Sequence, residues 1–418
     1  MPAAAMRYSS IGAVLVALSL VTACGGGHDN GFAGIGGPGP GTGGGPSPGT
    51  GMNTLPVIVD DGPAAAGGTV NTLFTTVTIC APGSTSACQT VDHVQVDTES
   101  TGFRIFASAL GSALAVQLPQ AQDGYGNLLD ECIQFADGYS WGTVRTADLQ
   151  IGSEAASGIP IQVIGDAAAP AVPASCVSGP AENTVASFGA NAVLGIGNFL
   201  TDCGSSCESS VVPGTYYGCS TNANCMPTTI AVTQQLQNPV SFFASDNNGV
   251  ILTLPSAAAS SPGLNGTLTF GIGTQSNNSL MNAQIYAVDP SDGTFNTTYN
   301  GTLYGSSFID AGSSGYYFTD DTIPLCSDQP AFYCPPSALP LSATIQGTNG
   351  TMAAIAFSVD NADADFATND PVLPNLAGPA GSGMNTFDWG LPFFYGRSVY
   401  VAFEASNAAG VAGPWIGF

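Results

Sequence analysis

Apolar and polar residues alternate in short runs along the chain from Leu55 onwards, and Gly, Pro and Asn separate the runs. This period of two is typical of β-strands that bury one face. It predicts strands at residues 57–60, 70–79 and 91–96 in the first half, and at residues 249–254, 266–271, 284–288 and 341–345 in the second half. Helical periodicity is confined to short windows, chiefly residues 230–236 and the stretch after Asp388. The pattern therefore predicts an all-β fold.

The two halves have the same texture, and each contains one aspartate at the end of a predicted strand. Such a likeness indicates an old internal duplication. We place the boundary near Ser245, where an apolar run gives way to the turn sequence Asp-Asn-Asn-Gly. The predicted organisation is a signal segment at residues 1–23, a tether at 24–54, an N-terminal β lobe at 55–245 and a C-terminal β lobe at 246–418.

Only four of the 418 residues are basic, all of them arginine, whereas 29 are acidic. The net charge of −25 makes nucleic acids and anionic membrane surfaces poor direct partners, because like charges repel. The same charge suits an extracellular protein, or one that works in acid, where carboxylates lose much of their charge. A hydrophobic fraction of 44% is enough for a large core, which agrees with two domains.

The first residues have the pattern of a bacterial lipoprotein signal. Arg7 precedes an apolar stretch at residues 11–21, which is too short to span a bilayer, and Thr-Ala-Cys-Gly follows it. A cysteine directly after small residues resembles a lipobox, so we predict cleavage before Cys24 and lipidation of that residue. Residues 25–48 are dominated by Gly, with Pro, Ser and Thr, and predict a flexible tether. The sequence thus predicts a lipid-anchored protein of the bacterial cell envelope, whose only membrane contact is its anchor.

Ten cysteines remain after Cys24, an even number in an oxidising compartment. Two pairs bracket predicted loops, four cysteines crowd a Gly-, Ser- and Asn-rich segment, and two stand apart. In that order they are Cys80 and Cys88, Cys326 and Cys334, then Cys203, Cys207, Cys219 and Cys225, and finally Cys132 and Cys176. Zinc binding by the group of four is the alternative to disulfides, but no histidine lies near them. We predict disulfides, with the connectivity within the four left open, and neither a metal nor a cofactor.

Two short segments about half the chain apart carry the candidate chemistry. Val-Asp-Thr-Glu-Ser-Thr at residues 96–101 and Ile-Asp-Ala-Gly-Ser-Ser at residues 309–314 each end a predicted strand. Taken alone, each is also an ordinary Asp-Ser turn. Together they would set the carboxylates of Asp97 and Asp310 side by side. A carboxylate pair that shares one proton acts as acid and base at once and activates water.

These two loops and four further segments follow one another in the order found in the pepsin-like aspartic peptidases. The resemblance covers most of the chain after the tether. Residues 135–142, Phe-Ala-Asp-Gly-Tyr-Ser-Trp-Gly, followed by residues 146–152, look like the family's flap hairpin. Residues 191–197 and 387–404 look like the segments that pass beneath the two catalytic loops, and residues 266–271 are similar to the first strand of the second lobe. The resemblance implies two β lobes with a cleft between them.

The resemblance also implies roles for individual residues. Asp97 and Asp310 would form the catalytic dyad, and a peptide or protein would bind in the interlobe cleft of a monomer. Four more residues would support the dyad, by orienting its carboxylates or shaping its loops: Thr98, Ser100, Gly312 and Ser313. Three aromatic residues would belong to the flap: Phe135, Tyr139 and Trp141.

Three positions depart from the family's pattern. Glu99 replaces the glycine of the first loop, and an inward-pointing side chain there would raise the pKa values of the dyad. Ala311 replaces the hydroxyl residue of the second loop, which removes one side of the hydrogen-bond lattice that joins the loops in the family. Phe135 stands where the flap usually has tyrosine.

Three functions stay open on these grounds: an acid endopeptidase tethered to the cell surface, an inactive scaffold that binds a peptide, protein or glycan, and a structural surface lipoprotein. Other chemistries lack their residues. A Ser-His-Asp triad would have to use His93, without a Gly-x-Ser-x-Gly elbow. A glycosidase pair leaves the hydroxyl residues of the loops unexplained. The acidic stretches at residues 60–61 and 360–370 lack the spacing of a calcium loop.

Overall fold

The computed structural model describes residues 52–220, 224–381 and 385–418. The predicted signal segment, Cys24 and the tether as far as residue 51 lie outside the described residues. The first strand begins at Thr54, so the last residue that we assigned to the tether belongs to the folded part. Among the described residues, no helix combines the length and the apolar character needed to cross a membrane.

Strands make up most of the regular structure, as the alternating pattern predicted. In the described part of the first half they are β1 Thr54–Val59, β2 Leu73–Cys80, β3 Cys88–Asp97, β4 Thr101–Phe106, β5 Leu128–Gln134, β6 Tyr139–Ile151, β7 Glu154–Ile164, β8 Ala192–Ile196, β9 Tyr216–Cys219 and β10 Cys225–Pro227. In the second half they are β11 Gly249–Thr253, β12 Leu264–Phe270, β13 Ile285–Ala287, β14 Phe295–Tyr299, β15 Thr302–Ile309, β16 Tyr316–Tyr317, β17 Leu339–Gln346, β18 Met352–Val359, β19 Ala377–Gly378, β20 Asp388–Trp389, β21 Ser398–Ala402, β22 Asn407–Ala408, β23 Val411–Ala412 and β24 Trp415–Gly417.

Helices in the described residues are few and short. The α-helices are α1 Ser112–Ala115, α2 Val185–Phe188, α3 Ser205–Ser209 and α4 Ala362–Phe366, and the 3-10 helices are Ala64–Ala66, Val232–Gln234, Pro239–Phe242 and Leu391–Phe394. The two windows in which the sequence indicated helical periodicity therefore contain only 3-10 turns.

Most strands belong to one large sheet, with the order β10-β9-β5-β6-β7-β4-β8-β3-β2-β1-β12-β11-β21-β24-β13. The two halves of the chain meet in this sheet where β1 pairs antiparallel with β12, from Thr54 opposite Thr269 to Val59 opposite Leu264. A second sheet has the order β18-β17-β14-β15-β20-β16-β19, and β22 pairs with β23. The fold is all-β with two barrel-like sheets.

Both aspartate-containing loops are built in the same way. The first loop joins β3 to β4, and β8 lies between these strands, parallel to β3 and antiparallel to β4. The second loop joins β15 to β16, and β20 lies between these strands, parallel to β15 and antiparallel to β16. Asp97 is opposite Gly195 on β8, and Ile309 is opposite Trp389 on β20. This repeated arrangement is what an internal duplication produces, and it supports each loop from below.

Five disulfides confirm the predicted use of the cysteines: Cys80–Cys88, Cys132–Cys176, Cys203–Cys207, Cys219–Cys225 and Cys326–Cys334. The four cysteines at 203, 207, 219 and 225, for which zinc binding was the alternative, thus form two disulfides between residues close in sequence. The Cys132–Cys176 bridge spans 44 residues and ties the segment before α2 to strand β5.

Candidate active site

The two loops are joined through one hydroxyl group. Thr98 Oγ1 accepts a hydrogen bond from the backbone N–H of Ala311 at 2.9 Å and donates one to the carbonyl oxygen of Ile309 at 3.1 Å. Ala311 has no hydroxyl with which to make the reciprocal pair. The lattice between the loops is therefore one-sided, as the departure at Ala311 led us to expect.

Asp97 and Asp310 lie side by side, and their carboxyl groups share a hydrogen bond. A Cβ atom placed on Gly312 would lie 3.0 Å from both Asp97 Cγ and Asp310 Oδ1. That spacing is tighter than most van der Waals contacts, so only glycine leaves both carboxyl groups undisturbed at this position. Gln95 reinforces the junction, because its Nε2 donates to the carbonyl oxygen of Gly312 at 3.0 Å.

Backbone groups of each loop orient the two carboxyl groups. Asp97 Oδ1 accepts from the N–H of Glu99 at 2.8 Å and of Ser100 at 3.0 Å. Asp310 Oδ1 accepts from the N–H of Gly312 at 2.7 Å, and its Oδ2 accepts from the Ser313 hydroxyl at 2.8 Å. The Ser100 hydroxyl differs from that of Ser313. It lies near enough to Asp97 to lower the pKa of that carboxyl group, but the Ser100 hydroxyl makes no hydrogen bond of good geometry.

Burial and mutual repulsion determine which carboxyl group holds the proton. Both aspartates are fully buried. Burial raises the pKa of Asp97, and hydrogen bonds from Ser100 and Glu99 lower it in part. Burial raises the pKa of Asp310 well above its ordinary range, and the charges of Asp97, Asp388 and Glu99 raise it further. Because two backbone N–H groups donate to Asp97 and favour its ionised form, we assign the proton of the pair to Asp310.

Glu99 is half-buried beside the dyad. Burial raises the pKa of Glu99 well above its ordinary range, and the charges of Asp97, Asp388 and Asp292 add to this. Its effect on Asp310 matches what we expected from an inward-pointing side chain. The Glu99 carboxyl group therefore keeps its proton to a higher pH than an exposed glutamate does.

Asp388 is a site residue that the sequence reasoning did not single out. It belongs to β20, is 5% exposed, and its Oδ2 lies 2.6 Å from the Ser313 hydroxyl. Burial raises its pKa well above the ordinary range, although the hydrogen bond from Ser313 lowers it in part. The available signal was a lone charged residue between Phe387 and Trp389, inside an apolar run beneath the second loop.

The predicted flap residues are all buried, and their described ring contacts are not with the aspartates. The turn that precedes β6 is closed by a hydrogen bond from the N–H of Phe135 to the carbonyl oxygen of Gly138 at 2.8 Å. Phe135 packs against Phe188. Trp141 packs against Tyr217, in the cluster that also contains Tyr139 and the Cys132–Cys176 bridge. The structure thus brings the two aspartates and their supporting loops together, whereas the side chains of the predicted flap aromatics pack in two separate apolar clusters.

The flap turn is fastened to the segment before α2. Tyr139 donates its N–H to the carbonyl oxygen of Pro180 at 3.0 Å and accepts from the N–H of Glu182 at 2.8 Å. The Glu182 and Asp137 carboxyl groups are hydrogen-bonded to one another. Burial, together with the charge of Asp137, raises the pKa of Glu182 to about 9.

Two surface depressions of about 460 and 650 Å³ do not include the dyad. The first is lined by residues such as Leu200, Asn248 and Glu404, and the second by residues such as Tyr299 and Asp320. The dyad is covered by protein, since neither aspartate is exposed. A substrate would reach the dyad only if residues that cover it moved.

The all-β fold with its two aspartate-containing loops is similar to the pepsin-like architecture. It is similar to the crystal structure of an aspartic proteinase from Irpex lacteus, with a TM-score of 0.50, 14% identity, and coverage of 87% of this chain and 96% of that chain. At this identity the likeness shows the fold alone. The chain belongs to the family described as "Protein of unknown function (DUF3443)", whose model matches residues 49–418. No protein with a curated description matches the sequence.

Proposed function

We propose that the protein is a bacterial surface lipoprotein, tethered through Cys24, that hydrolyses peptide bonds with Asp97 and Asp310. The observation that carries this proposal is the buried, hydrogen-bonded pair of carboxyl groups held by two loops that Thr98 joins. Asymmetric protonation of such a pair supplies a base and an acid at adjacent atoms. The fold alone would not carry this proposal, because one fold hosts many functions.

In the proposed reaction, the Asp97 carboxylate accepts a proton from a water molecule while Asp310 donates its proton to the carbonyl oxygen of the peptide. The water oxygen bonds to the carbonyl carbon and gives a tetrahedral diol. The proton on Asp97 then passes to the amide nitrogen, one diol hydroxyl returns its proton to Asp310, and the C–N bond breaks. The backbone N–H groups that orient Asp97 and Asp310 hold the two carboxyl groups in position throughout.

Hydrolysis of a mixed peptide library between roughly pH 3 and 8, the range over which a coupled buried pair titrates, tests the proposal. We expect wild-type cleavage, and its loss in Asp97→Asn and in Asp310→Asn. Asp130→Asn is the matched control, because Asp130 is a buried carboxyl group on β5 whose pKa burial raises to about 7. Equal residual cleavage in the wild type and both dyad variants would rule the peptidase out.

An inactive scaffold that binds a peptide, protein or glycan is the second candidate. Two observations favour it: Glu99 occupies the place of the family's glycine, and neither aspartate of the dyad has exposed surface. Under this alternative, peptides would bind to the wild type and to Asp97→Asn with equal affinity and would not be cleaved. Calorimetric titration beside the cleavage assay separates the two candidates.

The anchor is tested independently of the chemistry. Cells that express the wild type should incorporate radiolabelled palmitate into the protein and retain it in the membrane fraction. The Cys24→Ser variant should incorporate no label and should leave that fraction. Sedimentation of the soluble variant should give the mass of a monomer.

A further inference from the structure

The Ser313 hydroxyl lies between two carboxyl groups and can donate to only one of them. Its Oγ is 2.8 Å from Asp310 Oδ2 and 2.6 Å from Asp388 Oδ2. A hydroxyl group has one proton, so one of these two contacts requires a carboxyl group as the donor. At least one of Asp310 and Asp388 is therefore neutral whenever both contacts exist.

Two opposite directions would satisfy the contacts along this row of groups, and the backbone hydrogen bonds on Asp97 select the one that ends there. Asp388 in its neutral form donates to Ser313 Oγ, Ser313 donates to Asp310 Oδ2, and neutral Asp310 donates to the Asp97 carboxylate. Asp97 is the natural end of the chain, because it already accepts two backbone N–H groups. Three carboxyl groups then hold two protons, and each donor has one acceptor.

No cation replaces these protons within the described residues. The groups that act on Asp388 are the Ser313 hydroxyl and the negative charge of Asp97, and Asp388 in turn acts on Asp310, Glu99 and Tyr317. The described arginines bind elsewhere: Arg104 pairs with Glu131 and Asp202, Arg145 pairs with Asp166, and Arg397 lies over Phe393. A buried carboxyl group that has neither a cation nor several hydrogen-bond donors is stable only when it is protonated.

The first half of the chain supplies an internal comparison. Gly195 is opposite Asp97, whereas Trp389 is opposite Ile309, so the first-half counterpart of Asp388 is Val193. Val193 is apolar and fully buried in a cluster with Phe106. The Ser100 hydroxyl accordingly lacks the partner that Ser313 has. Asp388 is therefore a specific addition beneath the second loop.

We propose that neutral Asp388 is a positioning residue for the dyad: it fixes the Ser313 hydroxyl on Asp310, and its ionisation sets the alkaline limit of the reaction. This inference rests on the proposed function. When Asp388 ionises, the Ser313 hydroxyl turns to the new carboxylate and Asp310 loses its donor. Loss of that proton places the second negative charge on Asp388, away from Asp97, which is easier than ionising both adjacent members of the dyad.

The test is the pH–rate profile of Asp388→Asn and Asp388→Val. Asn keeps an N–H that donates to Ser313 but does not titrate, so kcat at pH 5 should remain within about threefold of wild type. Its alkaline limb should move up by about one pH unit or more. Val removes the donor and copies the first half, so kcat should fall about tenfold to a hundredfold. An alkaline limb that stays in place in Asp388→Asn would overturn the proposal.

Two controls separate structural damage from a positioning role. Asp130→Asn removes a buried carboxyl group on β5 and should leave the profile unchanged. The effects of Asp388→Val and Ser313→Ala should be non-additive when combined, because both act on Asp310 through one hydroxyl group. Additive effects would contradict the proposal even if both variants fold.

An activity-free measurement distinguishes failure of this inference from failure of the proposed function. Infrared difference spectra across the pH titration should show one protonated carboxyl band in the wild type that Asp388→Asn lacks. If the wild type shows this band but hydrolyses no peptide, the proposed row of protonated carboxyl groups stands and the peptidase function is ruled out. If the wild type hydrolyses peptides but its spectrum does not differ from that of Asp388→Asn in this band, the peptidase function stands and the proposed role of neutral Asp388 is ruled out.

Discussion

Thr98 and Ala311 occupy corresponding positions in the two loops, and Thr98 alone carries the hydroxyl that joins them. Its Oγ1 satisfies one N–H and one C=O of the opposite loop, at 2.9 and 3.1 Å. The second loop makes no equivalent bonds, because Ala311 ends at Cβ. The junction beneath the dyad is therefore held from one side, and its strength can be changed from either side.

Removal of the Thr98 hydroxyl should weaken the fold. Thr98→Ala leaves the N–H of Ala311 and the C=O of Ile309 buried without a partner, which costs about 2–4 kcal/mol of unfolding free energy. Urea unfolding followed by fluorescence measures the change. Thr90→Ala, which removes an exposed hydroxyl bonded only to Thr78, should cost less than about 1 kcal/mol. Equal losses in both variants would contradict the importance of the junction.

Addition of the missing hydroxyl should have the opposite effect. In Ala311→Ser the new Oγ faces the first loop as Thr98 Oγ1 faces the second, so it should add about 1 kcal/mol per hydrogen bond formed. Ala311→Val provides the matched control, since it adds volume without a hydroxyl in a fully buried place and should destabilise by about 1–3 kcal/mol. Stabilisation by both variants would point to packing instead of hydrogen bonding.

The sequence predicted the all-β fold because alternation with a period of two is a local signal, and the structure confirms that fold. The loops at Asp97 and Asp310 were identifiable because each ends such a strand, and the structure brings them together. Their catalytic role stays a prediction.

Asp388 was not identified as part of the site, because its partner Ser313 lies 75 residues away and the available signal was a single charge in an apolar run, without periodicity. The packing of Phe135, Tyr139 and Trp141 into two clusters was equally hidden. It depends on Phe188 and on the Cys132–Cys176 bridge, and both Phe188 and Cys176 come from a later segment.

The carboxyl pair that fastens the flap turn should make stability depend on pH. The pKa of Glu182 is raised from 4.5 to about 9, so its contribution to stability is complete below about pH 4.5 and is lost as the pH rises through 9. Wild-type stability should fall across this range by up to about 1.4 kcal/mol per pH unit. Glu182→Gln should flatten the dependence, whereas Glu208→Gln, at an exposed position, should leave it intact. Chemical denaturation at pH 5, 7 and 9 measures both.

The disulfides should contribute according to the length of chain that each one closes. Replacement of Cys132 and Cys176 by alanine opens a loop of 44 residues and should cost about 4 kcal/mol, since the unfolded chain gains freedom with loop length. The same change at Cys203 and Cys207, with a separation of 4, should cost about 2 kcal/mol. Thermal unfolding of both double variants checks the order. A larger loss from the short bridge would show that local geometry outweighs chain entropy.

Glu99 decides whether the dyad is an open or an obstructed catalyst, and two variants separate its charge from its bulk. Glu99→Gln keeps the side chain but removes a charge that raises the pKa of Asp310, so the pH–rate profile should move towards acid with little change in its maximum. Glu99→Gly also clears the space beside the dyad, as Gly312 does on the other side. Its kcat/KM should rise about tenfold or more, because a better-placed substrate is nearer to the reactive geometry. If Glu99→Gly loses activity while Glu99→Gln retains it, the side chain itself positions the substrate, and the obstruction that we infer does not exist.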